Sequence, residues 1–154
     1  MQVTLTVKNL KKVMSQLKQL NKQLEPDFQE IVKGGGQLIR GEAVKSIQQG
    51  SKSGVVYEKY NPRRSHRASA PGEAPASDTG NLVSKIIVKQ KTKNITNVLS
   101  NANYSAFLEY GTSKMQPRPF MLPAFEKSKK PITEATFKRV VKKIEEIVKW
   151  VILQ

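Results

Sequence analysis

Few residues in this chain have the type and spacing that chemistry requires. One histidine, His66, stands beside Ser65, with Asp78 further along. A nucleophile and its base need separate rigid elements that aim one group at the other, which two adjacent loop residues do not supply. His66 therefore reads as an exposed loop residue. There is no cysteine, so a thiol nucleophile, a disulfide framework and a zinc ribbon are all excluded, and the thiol-free composition fits a reducing compartment. Glu145 and Glu146 lie among Lys142 and Lys149, the spacing of a salt-bridged solvent face. Glu109, between Leu108 and Tyr110, reads as a hydrogen-bond acceptor for the Gly111-Thr112 turn rather than as a general base. No catalytic, cofactor-binding or metal-binding set emerges, and the chain is not expected to be an enzyme or to take a small-molecule substrate.

Charge gives the next constraint. The 154 residues carry 27 Lys and Arg against 12 Asp and Glu, a formal net charge of +15. Such a surface attracts polyanions by counterion release. The basic residues are nevertheless spread along the chain, and only Arg63, Arg64 and Arg67 form a tight knot. No aromatic-interleaved strand of the kind that stacks bases accompanies them. The bland alternative to nucleic-acid binding is a solvated lysine-rich surface facing an acidic or nucleic-acid-filled assembly. No apolar run approaches the roughly 20 residues of a membrane helix, and no apolar signal core opens the chain, so neither spanning nor export by that route is expected.

The elements that must position these residues follow from apolar periodicity. Val3, Leu5 and Val7 alternate with polar residues as in a half-buried strand. From Asn9, a capping residue, Leu10, Val13, Met14, Leu17, Leu20 and Leu24 recur at helical spacing. Pro26 and Asp27 are expected to break this helix and start a second one running to about Gln49. Gly34-Gly35-Gly36 inside that second stretch should cost roughly 2–3 kcal/mol against alanine, which implies a kink or another backbone crossing closely. Residues 50–80, with Pro62, Pro71 and Pro75, show no apolar periodicity and read as a long extended loop, a length that is usually functional. Leu82 to Lys91 and Ile95 to Ser100 read as a β-hairpin turning at residues 91–94. Tyr104 to Tyr110 fits a helical turn or a third strand, and Gly111 ends it. Pro117, Pro119 and Pro123 keep residues 115–125 extended. After Pro131 and a capping Thr133, Phe137, Val140, Val141, Ile144, Ile147, Val148 and Val151 trace a clean amphipathic helix over 132–153. The fold class is α+β: one domain, a small antiparallel sheet packed with N-terminal helices (9–49) and a long C-terminal helix, with a β-rich stretch at 82–112.

Two segments carry motifs. The first runs Ser69-Ala70-Pro71-Gly72-Glu73-Ala74-Pro75-Ala76, then Asp78-Thr79-Gly80 and Leu82. Its prolines preset an extended strip that docks at small ordering cost. The second has Tyr104, Glu109, Gly111 and Thr112, a short spacer, then Arg118, Pro119, Phe120, Pro123 and Ala124, and it is rich in aromatics. In order and spacing these segments resemble the family of small bacteriophage tail-completion and head–tail joining proteins typified by the tenth gene product of coliphage Hong Kong 97. The first fifty residues support the resemblance by pattern alone.

The resemblance implies a structural virion protein, a ring-forming subunit at the neck between head and tail, assembled in the host bacterial cytoplasm. It implies a homo-oligomeric ring, on the order of six or twelve copies, with adjoining neck, portal-adaptor and tail-tube proteins as partners and phage DNA in the channel. A tail terminator capping the tail tube is the alternative station, and a free basic nucleic-acid-binding protein the alternative class. Closed rings need heterologous contacts, a strip on one side and a receptor on the other. Pro71, Gly72, Pro75, Asp78 and Gly80 are the candidates for the strip. Tyr104, Glu109, Gly111, Thr112, Arg118, Pro119, Phe120 and Pro123 are the candidates for the receptor and loop base. Arg63, Arg64 and Arg67 would face either DNA or an acidic partner ring.

Overall fold

The computed structural model describes residues 10–152, so the strand expected at Val3 to Val7 and the cap at Asn9 lie outside the described residues. Helix α1, Leu10–Gln49, is a single element of 40 residues with Pro26 inside it, not two helices. A proline in a helix interior removes one backbone hydrogen bond and costs about 3 kcal/mol. Ties on either side of Pro26 hold the helix together. Arg139 donates to Asp27 at 3.0 Å and to Glu30 at 2.5 Å, and Lys93 lies 3.5 Å from Glu25.

Beyond α1 come β1 (Val56–Tyr60), β2 (Arg63–Arg67), α2 (Asn81–Ser84), β3 (Ile86–Thr92), β4 (Ile95–Ser100), α3 (Ser105–Tyr110) and α4 (Met121–Ile152). The chain is thus α+β as expected, but with two separate two-stranded antiparallel sheets, β1-β2 and β3-β4. The expected extended loop holds the first of them: Val56 pairs with Arg67 and Tyr60 with Arg63 around Asn61-Pro62, whose peptide is cis. Val55, Val56, Tyr57 and Tyr60 form a β-branched and aromatic run closed by Asn-Pro, a readable strand-and-turn signal. The basic side chains of Arg63, Arg64 and Arg67 masked it.

The β3-β4 hairpin lies on α1. Its inner face carries Val88 and Thr96, and both press on Gly36: a methyl there would sit 2.7 Å from Thr96 Cγ2 and 3.0 Å from Val88 Cγ1. Close packing thus accounts for the glycines in part, through branched side chains rather than a crossing backbone. A methyl at Gly35 would meet the Ile132 side chain at 3.4 Å, in ordinary contact, whereas nothing lies within 4 Å of a methyl at Gly34. Arg40 Nε donates to the Ile86 carbonyl at 2.8 Å and pins the start of β3.

Helix α4 begins eleven residues earlier than the sequence suggests, at Met121 instead of 132. Pro123 is in its first turn, where a missing N–H costs nothing, and Pro131 is inside it. Thr133 is therefore no cap; its hydroxyl donates to the Lys129 carbonyl at 2.9 Å within the helix. The core gathers Ala43 and Ile47 of α1, Leu82, Ile86, Ala102, Phe120 and Ala124. Among the described residues it contains none of the C-terminal apolar stripe.

Candidate assembly interface

The two motif segments fold onto one another. Arg118 Nε donates to the Ser69 carbonyl at 3.1 Å, the Gly72 N–H donates to the Pro117 carbonyl at 2.9 Å, and the Arg118 N–H donates to the Leu108 carbonyl at 2.7 Å. Ser69 and Pro75 are buried beneath this contact. The strip turns at Pro71-Gly72, where Gly72 has φ 81, a left-handed conformation that a side chain disfavours. Glu73 holds the turn from below. Its carboxylate accepts from the Ala70 N–H at 2.8 Å and from the Ser53 N–H at 3.0 Å and hydroxyl at 2.5 Å. Led by the Ser53 hydroxyl, these donors pull its pKa down to about 2.

Asp78 ties the strip to the β1-β2 hairpin. Its carboxylate meets Lys59, the Arg64 guanidinium at 2.7 Å, and His66 Nδ1 at 3.9 Å. The Lys59 hydrogen bond first, and then Arg64, lower its pKa. Register explains the selection: Tyr57 pairs with His66 and Lys59 with Arg64, so Lys59, Arg64 and His66 share the face turned to Asp78. Arg63 and Arg67 lie on the opposite face and are exposed. The knot of three arginines is therefore split.

In the second motif, Tyr104 accepts a hydrogen bond at its hydroxyl from Asn81 at 3.0 Å, linking α3 to α2. Gly80, at φ 76, precedes α2, and its carbonyl accepts from the Ser84 N–H at 3.0 Å. Gly111 has φ 77, and a side chain there would meet the Met115 carbonyl at 2.7 Å. Thr112 pairs with Met115 in a small bridge, closing the turn. Glu109 is an acceptor, as its apolar setting suggested, but not for that turn. Its carboxylate takes the N–H groups of Phe120, Met121 and Leu122 at 2.9, 3.0 and 2.9 Å. These are orphan donors at the start of α4, so Glu109 caps that helix from outside it and offsets its dipole. Phe120, 1% exposed, is core; Pro119 is half-buried and Pro123 exposed.

Around this platform runs an uncovered apolar groove of about 640 Å³ between β4, α3 and the first turns of α4. Leu99, Tyr110, Leu122 and Phe125 line it, with Tyr110 82% and Leu122 61% exposed. Sequence reasoning passed over Leu99, which reads as an ordinary strand residue, and Leu122, which lies in the segment expected to be extended. Only the chain path shows that no described residue covers them. Among the described residues no His, Cys, Asp and Glu cluster suits a metal, and no helix is long and apolar enough to cross a membrane.

No curated protein and no solved structure matches the chain. A family model does, over residues 11–111, described as "Bacteriophage HK97-gp10, putative tail-component". The matched residues run from α1 through the strip and its Asp78 tie to the glycine that ends α3, which covers the first motif whole and the Tyr104 to Gly111 half of the second. On that match across more than half its length, the chain belongs to the HK97-gp10-like family of phage tail components.

Proposed function

We propose that this protein is a ring subunit at the head–tail interface of a tailed bacteriophage, needed to complete the tail and join it to the head, with DNA passing through the ring. The observation that carries this reading is the uncovered groove built on the signature residues. Exposed, contiguous apolar surface rimmed by polar residues marks a protein contact. Here the exposed Leu122 lies in the turn that Glu109 caps, and the exposed Tyr110 follows Glu109 directly in the chain.

A heterologous ring requires two different surfaces on each copy. The groove is one. The other is the side bearing the exposed turn at Pro71-Gly72 and the β1-β2 hairpin, whose Val55 and Tyr60 are also uncovered. Pro75 and Phe120 contribute by shaping these surfaces from within. Arg63 and Arg67 are the hairpin cations left for DNA in the channel, since Arg64 is engaged by Asp78.

Electron microscopy of lysates from a producing strain with an early stop codon in this gene tests the reading. DNA-filled heads beside separate tails of normal length support a completion and joining role. Overlong tails would move the protein to the terminator station, since a tube without its terminator keeps growing. Intact infectious particles overturn the proposal.

A further inference from the structure

The C-terminal stripe is the clearest apolar pattern in the sequence, yet Phe137, Ile144 and Val148 of it are exposed. Successive residues of a helix turn by about 100°. Ile132, which faces Gly35 of α1, and Arg139, which pairs with Asp27 and Glu30 of α1, lie on one side of α4. Phe137, Val141, Ile144 and Val148 lie on the other. Phe137 is 70% exposed, Val148 49% and Ile144 42%. Three large apolar residues in one row, spaced as in a coiled-coil seam, are the pattern that a second helix covers.

The flank of that row says which helix. Glu134, Lys138, Glu145 and Lys149 alternate in sign along one edge of the stripe. Lys138, Glu145 and Lys149 have no ion-pair partner within the chain among the described residues, and Glu134 has only the exposed Lys130 at 4.0 Å. Lay a second copy of α4 antiparallel, with the two-fold between residues 142 and 143. Phe137 then stands level with Val148 of the second copy, and Val141 with Ile144. Within two residues' rise, about 3 Å, Glu134 meets Lys149 of that copy and Lys138 meets Glu145. A two-fold axis keeps like flanks on the same side, so one register satisfies the apolar row and all four charges together.

We infer that the free protein forms an antiparallel two-fold dimer through the outer face of α4. This contact is isologous and closes on two copies, so it is distinct from any ring contact and does not depend on the protein's station in the particle. It gives the +15 chain a way to cover Phe137, Ile144 and Val148 before assembly.

Sedimentation equilibrium of the purified full chain near 0.15 M salt, with melting temperature measured alongside, is the test. The wild type should be dimeric at about 100 μM. Phe137→Asp should be monomeric with an unchanged melting temperature at low concentration, because the residue touches no core. Lys138→Glu and Glu145→Lys should each weaken dimerisation about tenfold, and the two together should restore it. A monomeric wild type, an oligomer that Phe137→Asp leaves intact, or a double reversal no better than the single ones overturns the inference.

Discussion

The carboxylate of Glu109, in the last turn of α3, accepts the backbone N–H of Phe120 at 2.9 Å, so the end of one helix caps the start of another. The spacing between the glutamate and the Arg-Pro-Phe segment lets one close onto the other across the Gly111 turn. Removing the acceptor as Glu109→Ala leaves three N–H groups, those of Phe120, Met121 and Leu122, without it. Chemical denaturation should show a loss of about 1–2 kcal/mol. Glu109→Gln, which keeps one acceptor oxygen, should lose less.

The three consecutive glycines should separate cleanly. Gly36→Ala drives a methyl into Thr96 and Val88 and should destabilise the protein by about 1–3 kcal/mol. Gly34→Ala meets nothing and gains helix propensity, so it should stabilise by about 0.5–1 kcal/mol. Equal melting temperatures for the two variants would contradict the packing described.

Strip docking should resist acid. Because Glu73 has its pKa depressed to about 2, it contributes stability that is fully present above the ordinary carboxylate range and is lost as pH falls toward 2. Wild-type proteolysis of the 69–80 strip should stay slow at pH 5 and rise only well below pH 4. Glu73→Gln should be cleaved faster at pH 7, with little further pH dependence.

Asp78→Asn should free the β1-β2 hairpin without unfolding the body, since the partners Lys59 and Arg64 are partly exposed and solvent-screened pairs contribute little to global stability. Trypsin cleavage at Lys59, Arg63 and Arg64 should accelerate severalfold, while the melting temperature moves by only a few degrees. A large loss of global stability would instead make the hairpin part of the core.

Tyr110→Asp with Leu122→Asp places charge in the groove at two exposed positions. The isolated chain should keep its melting temperature, and complementation of a null phage should fall by orders of magnitude. Full complementation would show that the groove is not a contact.

Much of this was legible from local rules. The β3-β4 hairpin, the helical character of 10–49 and of 137–152, and the motif residues all follow from period, turn chemistry and spacing. The failures share a cause. Pro26 and Pro131 lie inside helices because tertiary ties such as Arg139 to Asp27 outweigh a local penalty, and no local rule weighs a contact 112 residues away. Thr133 resembled a cap only because the true cap, Glu109, belongs to another helix. The outer face of α4 reads as core in any one-dimensional pattern, since periodicity reports that a face is apolar and not what covers it.

Gly36 also acts as a detent. Strand side chains repeat on the inner face every two residues, about 7 Å, whereas α1 repeats every 5.4 Å or so. Sliding the hairpin along the helix would keep the apolar pattern of β3 and β4 but set Val88 and Thr96 over Val32 or Arg40, one turn away on either side. Gly36 supplies a notch that receives two branched side chains at once, which neither Val32 nor Arg40 offers. The missing methyl thus indexes a two-stranded sheet that has too few strands to fix its own position, and the heading of everything that follows it, the groove included, is set by where that notch falls.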